Sequence, residues 1–268
     1  MSKNKKQVEK INNARNQLVV QSNDFIRHAR NKLLPQEQNI VYFLISKVKP
    51  KDKDFMTVTF TVEEFCNLCG MDSSSGKNYS DIKNALKSVA DKSAWTEYRD
   101  EEGRCVGTLV RWVDTYKFYE DSGVLTATLS QSIKPFLLGL VDNGFYTQAE
   151  LITFLALKSK YSKRLYELLK SYLDISEAKR YKLTIKKFEI TELKQLVAAE
   201  NYDKFKDFRS RVLDIAMREI NEITDIEASY STTKTGRKYT GIEFLIKYKK
   251  PTERFSAHAT AEKVLDKG

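Results

Sequence analysis

Two neighbouring stretches decide the fold: YDKFKDFRSRVLDIAMREINEI at residues 202–223, and ASYSTTKTGRKYTGIEFLIKY at residues 228–248. In the first stretch apolar residues recur every three or four positions, which is the spacing of an amphipathic helix. Its predicted buried stripe comprises Phe205, Phe208, Val212 and Ile215. In the second stretch two runs of alternating residues enclose a turn at Thr235-Gly236, which is typical of a β-hairpin. A helix that leads directly into a hairpin predicts the second half of a winged helix.

The residues before this helix complete the same unit. A long amphipathic helix is predicted for residues 148–173, a strand for residues 181–185, and a short helix opened by Thr191 in TELKQLV. The order helix, strand, helix, helix and hairpin is that of a winged helix. In such a unit the last helix enters the major groove of DNA and the hairpin, the wing, contacts the backbone.

The first half of the chain repeats this order. The pattern predicts helices at residues 36–47, 62–68 and 79–90, and strands at residues 56–60, around a turn at residues 100–103, and at residues 124–129. Thr61 opens the second of these helices with a capping box that ends at Glu64.

Two different spacings relate the halves, and the sequence leaves both registers open. FTVEEF at residues 60–65 matches LTIKKF at residues 183–188, a spacing of 123 positions. Glu64-Phe65 instead matches Glu192-Leu193, a spacing of 128. The repeat of architecture is therefore predicted without a fixed residue register.

We predict an α+β chain of two tandem winged-helix domains related by internal duplication. The predicted divisions are a basic N-terminal extension at residues 1–14, a first winged helix at 15–145, a second at 146–250, and a C-terminal tail at 251–268. A length of 268 residues fits two domains, and 41% hydrophobic residues suffice to bury their cores. Two such domains in one chain would read two successive grooves of a duplex.

Charge indicates the class of partner. Lys and Arg number 46 against 36 Asp and Glu, a formal net charge of +10 that suits a polyanion, most often nucleic acid. Basic residues cluster in residues 1–32 and again in residues 234–250. The chain has no apolar run long enough to cross a bilayer, and no apolar stretch follows its basic start, so we expect a cytoplasmic protein without membrane contact.

The chemical inventory argues against catalysis. Cys66 and Cys69 form a single C-x-x-C with no second pair to complete a zinc site, and are expected to be buried hydrophobes. The two histidines, His28 and His258, are too few for the metal site of a nicking enzyme. Residues 70–78, GMDSSSGKN, have the wrong spacing for a phosphate-binding loop. We therefore expect a protein that is not an enzyme and carries no metal or cofactor.

The predicted DNA-binding residues are basic or polar positions on the two recognition helices and the second wing. In the second domain they are Lys204, Lys206, Arg209, Ser210 and Arg211 on the helix, and Lys234, Arg237 and Lys238 around Gly236 on the wing. In the first domain they are Lys77, Lys83 and Lys87. Arg reads guanine edges whereas Lys acts chiefly as a charge on phosphate, so we expect the first domain to be less specific. The alternatives are a structural ion pair for Arg209 and a merely solvated hairpin for the wing.

The chain resembles the initiator replication proteins of iteron plasmids over residues 15–250. An N-terminal signature is carried by Asn16, Leu18, Val19, Leu34, Glu37, Gln38, Leu44, Ile45, Ser46 and Lys47. The stronger signature is carried by Tyr202, Phe205, Phe208, Arg209, Arg211, Val212, Leu213, Ala216, Glu219, Ile220 and Asn221, followed by Gly236, Arg237 and Lys238. YSKRLYELLKSY at residues 161–172 is similar to the family's linking helix. The polar loop at residues 71–78 departs from the pattern, so the resemblance does not define the first domain's DNA contacts.

The resemblance implies a plasmid replication initiator that binds repeated origin sequences, the iterons, in double-stranded DNA. It also implies recruitment of host replication proteins, no catalysis, and a monomer–dimer equilibrium in which dimers repress the protein's own promoter. The alternative is a double winged-helix transcriptional regulator without a replication role. A nicking or helicase enzyme is disfavoured by the missing metal and phosphate motifs.

Overall fold

The structure is a computed structural model that describes residues 3–49, 52–99, 102–140, 145–173 and 182–267, with side chains from Glu9 onward. The helices are α1 (Lys3–Arg15), α2 (Asn23–His28), α3 (Pro35–Ile45), α4 (Val62–Cys69), α5 (Gly76–Asp91), α6 (Leu151–Ala156), α7 (Lys160–Lys170), α8 (Ile190–Leu196), α9 (Phe205–Phe208, a π-helical turn Arg209–Leu213, then Asp214–Ile223) and α10 (Pro251–Asp266). The strands are β1 (Leu18–Ser22), β2 (Val58–Thr61), β3 (Ser93–Arg99), β4 (Cys105–Arg111), β5 (Val113–Tyr119), β6 (Val124–Leu129), β7 (Tyr146–Glu150), β8 (Thr184–Glu189), β9 (Ile226–Thr235) and β10 (Lys238–Tyr248).

The first winged helix packs α3, α4 and α5 on an antiparallel sheet of order β2-β6-β5. The predicted capping box forms at the start of α4, where Thr61 Oγ1 accepts from the Glu64 amide at 3.0 Å and Glu64 accepts from the Thr61 amide at 3.1 Å. The rings of Phe43, Phe60 and Phe65 fill the core between helix and sheet. The strands β3 and β4, which lie between α5 and β5 in the sequence, form a separate two-stranded sheet.

The second winged helix has the same plan, with α7, α8 and α9 around a sheet of order β8-β10-β9. Here α9 leads almost directly into β9, so this domain has no counterpart of β3-β4 within the residues described. The hairpin β9-β10 is the wing expected from the sequence. Both predicted winged helices are therefore present.

For the segment of β2 and α4, the structure supports the spacing of 128 positions. At that spacing Phe60, Phe65 and Leu68 correspond to Phe188, Leu193 and Leu196, and all six side chains are buried. For this segment the spacing of 123 is wrong, because it would match the buried Phe60 with Leu183, whose side chain is 51% exposed. Buried positions must correspond when two copies of one fold share a core.

The two halves meet around a local twofold axis. β1 and β7 also lie 128 positions apart, and they pair with each other in antiparallel register. Val20 lies opposite Gln148, its own equivalent in the repeat, and Leu18 lies opposite Glu150, the equivalent of Ser22. An antiparallel pair of equivalent strands centred on equivalent residues relates β1 and β7 to each other by a half-turn.

The single helix predicted for residues 148–173 is wrong. Residues 146–150 form β7, because β1 offers them a pairing partner, and α6 and α7 follow as separate helices. The chain breaks between these helices where the carboxylate of Glu219 accepts from the amides of Lys158 and Ser159, each at 3.2 Å. The strand predicted at residues 181–185 lies later, in β8; Tyr181 falls outside the described residues. The helix assigned to Thr191 starts at Ile190.

The buried stripe predicted for α9 needs correction at Phe205 and Ile215. Phe208 and Val212 are fully buried, but Phe205 and Ile215 are only partly buried, and Leu213, Ala216 and Ile220 also lie in the core. The π-helical turn at Arg209–Leu213 adds one residue to a turn, so the buried face of the rest of the helix shifts by one position.

The chain ends predicted as an extension and a tail are helices. α10 occupies residues 251–266 of the predicted tail and packs against α6 and α9. Its last turn lies at the first domain, where Arg15 of α1 donates to Asp266 Oδ1 at 3.0 Å and to the carbonyl of Leu68 at 3.0 Å. Ala257, Ala261 and Leu265 are buried, and this apolar face is what holds the segment as a helix on the surface of the protein.

Candidate nucleic-acid interface

The start of α9 presents the predicted basic residues to solvent. Lys204, Lys206, Arg209, Ser210 and Arg211 are all exposed. The side chains of Arg211 and Lys206 make no hydrogen bond or ion pair with any residue that the structure describes. Both side chains are thus available to a ligand.

Arg209 is partly committed to the protein itself. Its Nε lies 3.7 Å from Asp214 Oδ2, and the hydroxyl of Tyr230 on β9 donates to Asp214 Oδ1 at 2.6 Å. This contact and its burial raise the pKa of Tyr230 to about 12. The structural ion pair considered for Arg209 therefore exists, although its guanidinium remains exposed.

The wing is joined to the recognition helix by stacked aromatic rings. Tyr239 of β10 stacks on Phe205, the first residue of α9, with ring centroids 4.1 Å apart and planes 19° apart. The ammonium of Lys234 lies 4.3 Å from the Tyr239 ring centroid. This stack sets the basic wing tip beside the basic start of α9. The stack was not predicted: Phe205 was assigned to the buried stripe, and its contact with Tyr239 depends on tertiary packing.

The wing tip itself is narrow and positively charged. Gly236 adopts a left-handed backbone with φ of 61°, and no atom outside its neighbours would meet a Cβ there within 4 Å. Lys234, Arg237 and Lys238 surround this turn and are exposed. A tip of this kind can approach phosphates closely, because Gly236 leaves open space at the turn.

The first domain differs in charge at the equivalent positions. Lys77 and Lys87 are exposed on α5, but Lys83 pairs with Glu120 and lies 4.6 Å from the ring centroid of Phe118. The turn between β5 and β6, which corresponds to the second wing tip, carries the acidic pair Glu120-Asp121. The two candidate surfaces are thus unequal, because acidic residues accompany the lysines of the first domain.

Other candidate chemistry lies away from these surfaces. Cys66 and Cys69 are buried in α4, and burial raises the pKa of Cys69 to about 12. Residues 70–75 form the loop between α4 and α5. In the described part of the chain no three His, Cys, Asp or Glu side chains come together as a metal site. No helix among these same residues is long and apolar enough to cross a bilayer.

Comparison with known proteins identifies two matching family models. The model described as Initiator Replication protein, WH1 matches residues 18–170, and that described as Initiator Rep protein, WH2 matches residues 189–246. The PI protein of Escherichia coli is 29% identical over 150 residues, which are 51% of this chain. The match covers 47% of that protein, so the similarity spans about half the length of the curated relative.

A solved structure has the same fold. The crystal structure of the Pi initiator protein in complex with iteron DNA superposes with a TM-score of 0.67 at 18% sequence identity. The superposition covers 88% of this chain and 99% of that one. The arrangement of two winged helices is therefore shared across nearly the whole of both molecules.

Proposed function

The chain belongs to the family of initiator replication proteins, and from that premise we propose that it is a plasmid replication initiator that binds repeated origin sequences in double-stranded DNA. The observation that carries this proposal is the uncommitted positive surface of the second domain. There Arg211 and Lys206 are exposed on α9, and the stack of Phe205 on Tyr239 holds this helix beside the wing tip. A related initiator was crystallised with iteron DNA, which supports the same class of ligand here.

The local twofold axis suggests how one chain engages a repeat. Since a half-turn relates β1 and β7, we expect the recognition helices of the two halves to approach a duplex with opposite polarity. We expect each repeat to contain two unequal half-sites with centres about one helical turn apart, roughly 10 base pairs. The second domain supplies most of the base reading, and the first, with Lys77 and Lys87, supplies mainly phosphate contacts.

The proposal also covers the protein's partners. In it, the chain contributes DNA binding without catalysis, and host replication proteins recruited to the bound origin open and copy the strands. Monomers occupy the origin repeats and dimers repress the protein's own promoter. Family membership supports these parts of the proposal, which purified components can test separately.

A replication assay and a footprint test the function. The gene with its flanking DNA is placed on a replicon that lacks an origin, and a matched plasmid carries the Lys206→Ala/Arg211→Ala variant. We expect replication with the unchanged gene only, and a footprint of the purified chain over repeated sites beside the gene. A footprint on a single operator, with no replication, would contradict the proposal and favour a transcriptional regulator.

A further inference from the structure

Helix α7 is a buried helix that carries four charged side chains. Lys163, Arg164, Glu167 and Lys170 are each no more than 6% exposed. Charged side chains are almost never fully buried unless they are paired, because removing them from water is costly. The helix lies between the two domains: it packs on α9 of the second domain and on α2 of the first.

Arg164 bonds to both domains at once. Its Nη2 donates to the carbonyls of Ile26 and Ala29 at the end of α2, each at 2.6 Å. Its Nε donates to the carbonyl of Leu196 at the end of α8, at 2.9 Å. Both contacts place a positive charge at the negative end of a helix, which is the favourable arrangement. Arg164 thus bonds to the C-terminal end of one helix in each domain.

Glu167 completes the network on the side of the first domain. Its Oε1 accepts from Arg164 Nη1 at 2.5 Å, while its Oε2 accepts from the Tyr42 hydroxyl at 3.0 Å and from Gln21 Nε2 at 3.1 Å. Burial and this carboxylate raise the pKa of Tyr42 well above its usual value. Both oxygens of the carboxylate and all three nitrogens of the guanidinium have partners.

Such a network specifies geometry more than it adds stability. Replacing a buried ion pair with packed apolar side chains is often neutral in the free energy of unfolding. An apolar seam, however, lets two surfaces slide by small amounts, whereas the planar fork of an Arg satisfies carbonyls from two domains in one arrangement only.

We infer that Arg164 is a positioning residue: held by Glu167, it fixes the angle between α5 and α9 and so sets the spacing of half-sites that the chain accepts. The consequence for DNA rests on the proposed function, in which both domains contact one duplex. The effect on the angle between α5 and α9 does not depend on the proposed function, so the angle and DNA binding are measured separately.

The angle is measured without DNA. Spin labels are attached to the full chain at Asp81→Cys on α5 and Glu222→Cys on α9, both exposed positions, in a Cys105→Ser background. We expect one narrow distance distribution in the parent chain and a distribution at least twice as broad in the charge-neutral variant Arg164→Met/Glu167→Met. The matched control is Lys170→Met/Asp225→Asn, which removes an ion pair, 2.6 Å apart, between the buried Lys170 and the partly buried Asp225, within the second domain.

The control variant should keep the narrow distribution. An unchanged width in the Arg164→Met/Glu167→Met variant, or equal broadening in the control, would overturn the inference. Should the double methionine variant not fold, Arg164→Lys decides the question. It keeps the charge beside Glu167 and loses the fork, so it should also broaden the distribution, and an unchanged width would again overturn the inference.

The DNA measurement uses duplexes that the parent chain selects from a random-sequence library. One base pair is then inserted between the half-sites, which rotates them by roughly 35° relative to each other. We expect the insertion to weaken parent binding about tenfold and to weaken binding of the Arg164→Met/Glu167→Met variant no more than about threefold. If the insertion weakened binding of the parent and of the variant by equal factors, the inferred link between Arg164 and half-site spacing would be overturned. A parent chain that selects no sequence would refute the proposed function, while the label distances still decide the role of Arg164.

Discussion

Arg209 and Arg211 lie two positions apart at the start of α9 but differ in what they can offer DNA. Arg209 reaches Asp214 five positions on, a contact that the π-helical turn makes possible. In a regular α-helix residues five apart lie on different faces, so the spacing did not point to Asp214 as the partner of Arg209. Their exposure was predictable from the apolar stripe, and an ion pair was considered for Arg209 alone, but its partner Asp214 was not predicted.

We expect Arg211→Ala to weaken binding to cognate DNA by roughly 1–3 kcal/mol, and to weaken binding to random DNA less. The reason is that an uncommitted Arg near the start of a recognition helix is placed to bond the two acceptors of a guanine. Binding is measured by titration at one salt concentration with both duplexes.

Arg218→Ala is the matched control, because Arg218 is also exposed but lies in the last part of α9. It should leave the preference for cognate DNA unchanged. Equal losses on both duplexes for Arg211→Ala would reassign Arg211 to a backbone contact.

Lys163 makes the stability of the protein depend on pH. Burial lowers the pKa of this side chain to about 7, although its ammonium donates to Asn39 Oδ1 at 2.8 Å. Between pH 7 and the ordinary lysine value the unfolded chain binds more protons than the folded one. The free energy of unfolding should therefore rise with pH in that window, on the order of 1 kcal/mol per pH unit.

The test compares the parent chain with Lys163→Met by urea unfolding at pH 7, 8 and 9. The difference in unfolding free energy, parent minus variant, should increase with pH, because all other titrating groups cancel. A difference that stays constant over this range would show that Lys163 keeps its proton in the folded state.

Among the helices, strands and turns, the features predicted correctly from the sequence are those that depend on local interactions. The capping box at Thr61, the hairpin at Gly236 and strand β6 are all present because each depends on residues near in sequence. β7 was missed because its residues are strand only by virtue of pairing with β1, 128 positions earlier. The helical ends were missed for the same reason: α10 is held by contacts with residues far away in the chain.

Two glycines with the same backbone conformation should respond differently to alanine. Gly70 has φ of 65° and Gly236 has φ of 61°, so both substitutions carry the strain of a left-handed residue, about 1–2 kcal/mol. A Cβ at Gly70 would lie 1.8 Å from the carbonyl oxygen of Leu265 on α10, whereas a Cβ at Gly236 meets nothing. Gly70→Ala should therefore cost clearly more, and it should loosen the last turn of α10.

Urea unfolding gives both costs, with Gly236→Ala as the control for strain alone. Proteolysis from the C-terminus shows whether α10 has loosened. If both variants lost the same free energy of unfolding, a Cβ at position 70 would not clash with α10.

The wing should act through phosphates. Each phosphate contact releases condensed counterions, so removing one contact makes the slope of log affinity against log salt shallower by about 0.9. We expect Lys234→Ala/Arg237→Ala/Lys238→Ala to reduce the slope by up to about 3, with weaker binding to cognate and random DNA alike. The fold should survive, since Ile242, Phe244 and Ile246 hold the hairpin core.

Lys182→Ala/Lys263→Ala/Lys267→Ala removes the same charge from exposed positions away from the wing tip and serves as the control. It should change the slope little. If the folded wing variant kept the full slope, the wing would point away from DNA.

At the scale of the whole molecule, the sequence predicted two winged helices but not how they meet. The repeat was visible because duplicated cores keep their apolar spacing. The twofold axis was not, because it depends on the pairing of β1 with β7, and the contacts of Arg164 with both domains were not predictable either. The inequality of the two wings appears only when β5-β6 is aligned with β9-β10 in space.

That inequality predicts a division of labour between the domains, which equal charge removal from each can measure. Lys206→Ala/Arg211→Ala takes two positive charges from the second domain, and Lys77→Ala/Lys87→Ala takes two from the first; Lys83 is left in place because it already pairs with Glu120. The second-domain variant should lose most of the preference for cognate over random DNA, since Arg reads base edges. The first-domain variant should weaken both kinds of binding by similar factors, since lysines act mainly on phosphates. Competition binding of the full-length variants at fixed salt measures the ratio, and a selective loss confined to the first-domain variant would reverse the assignment.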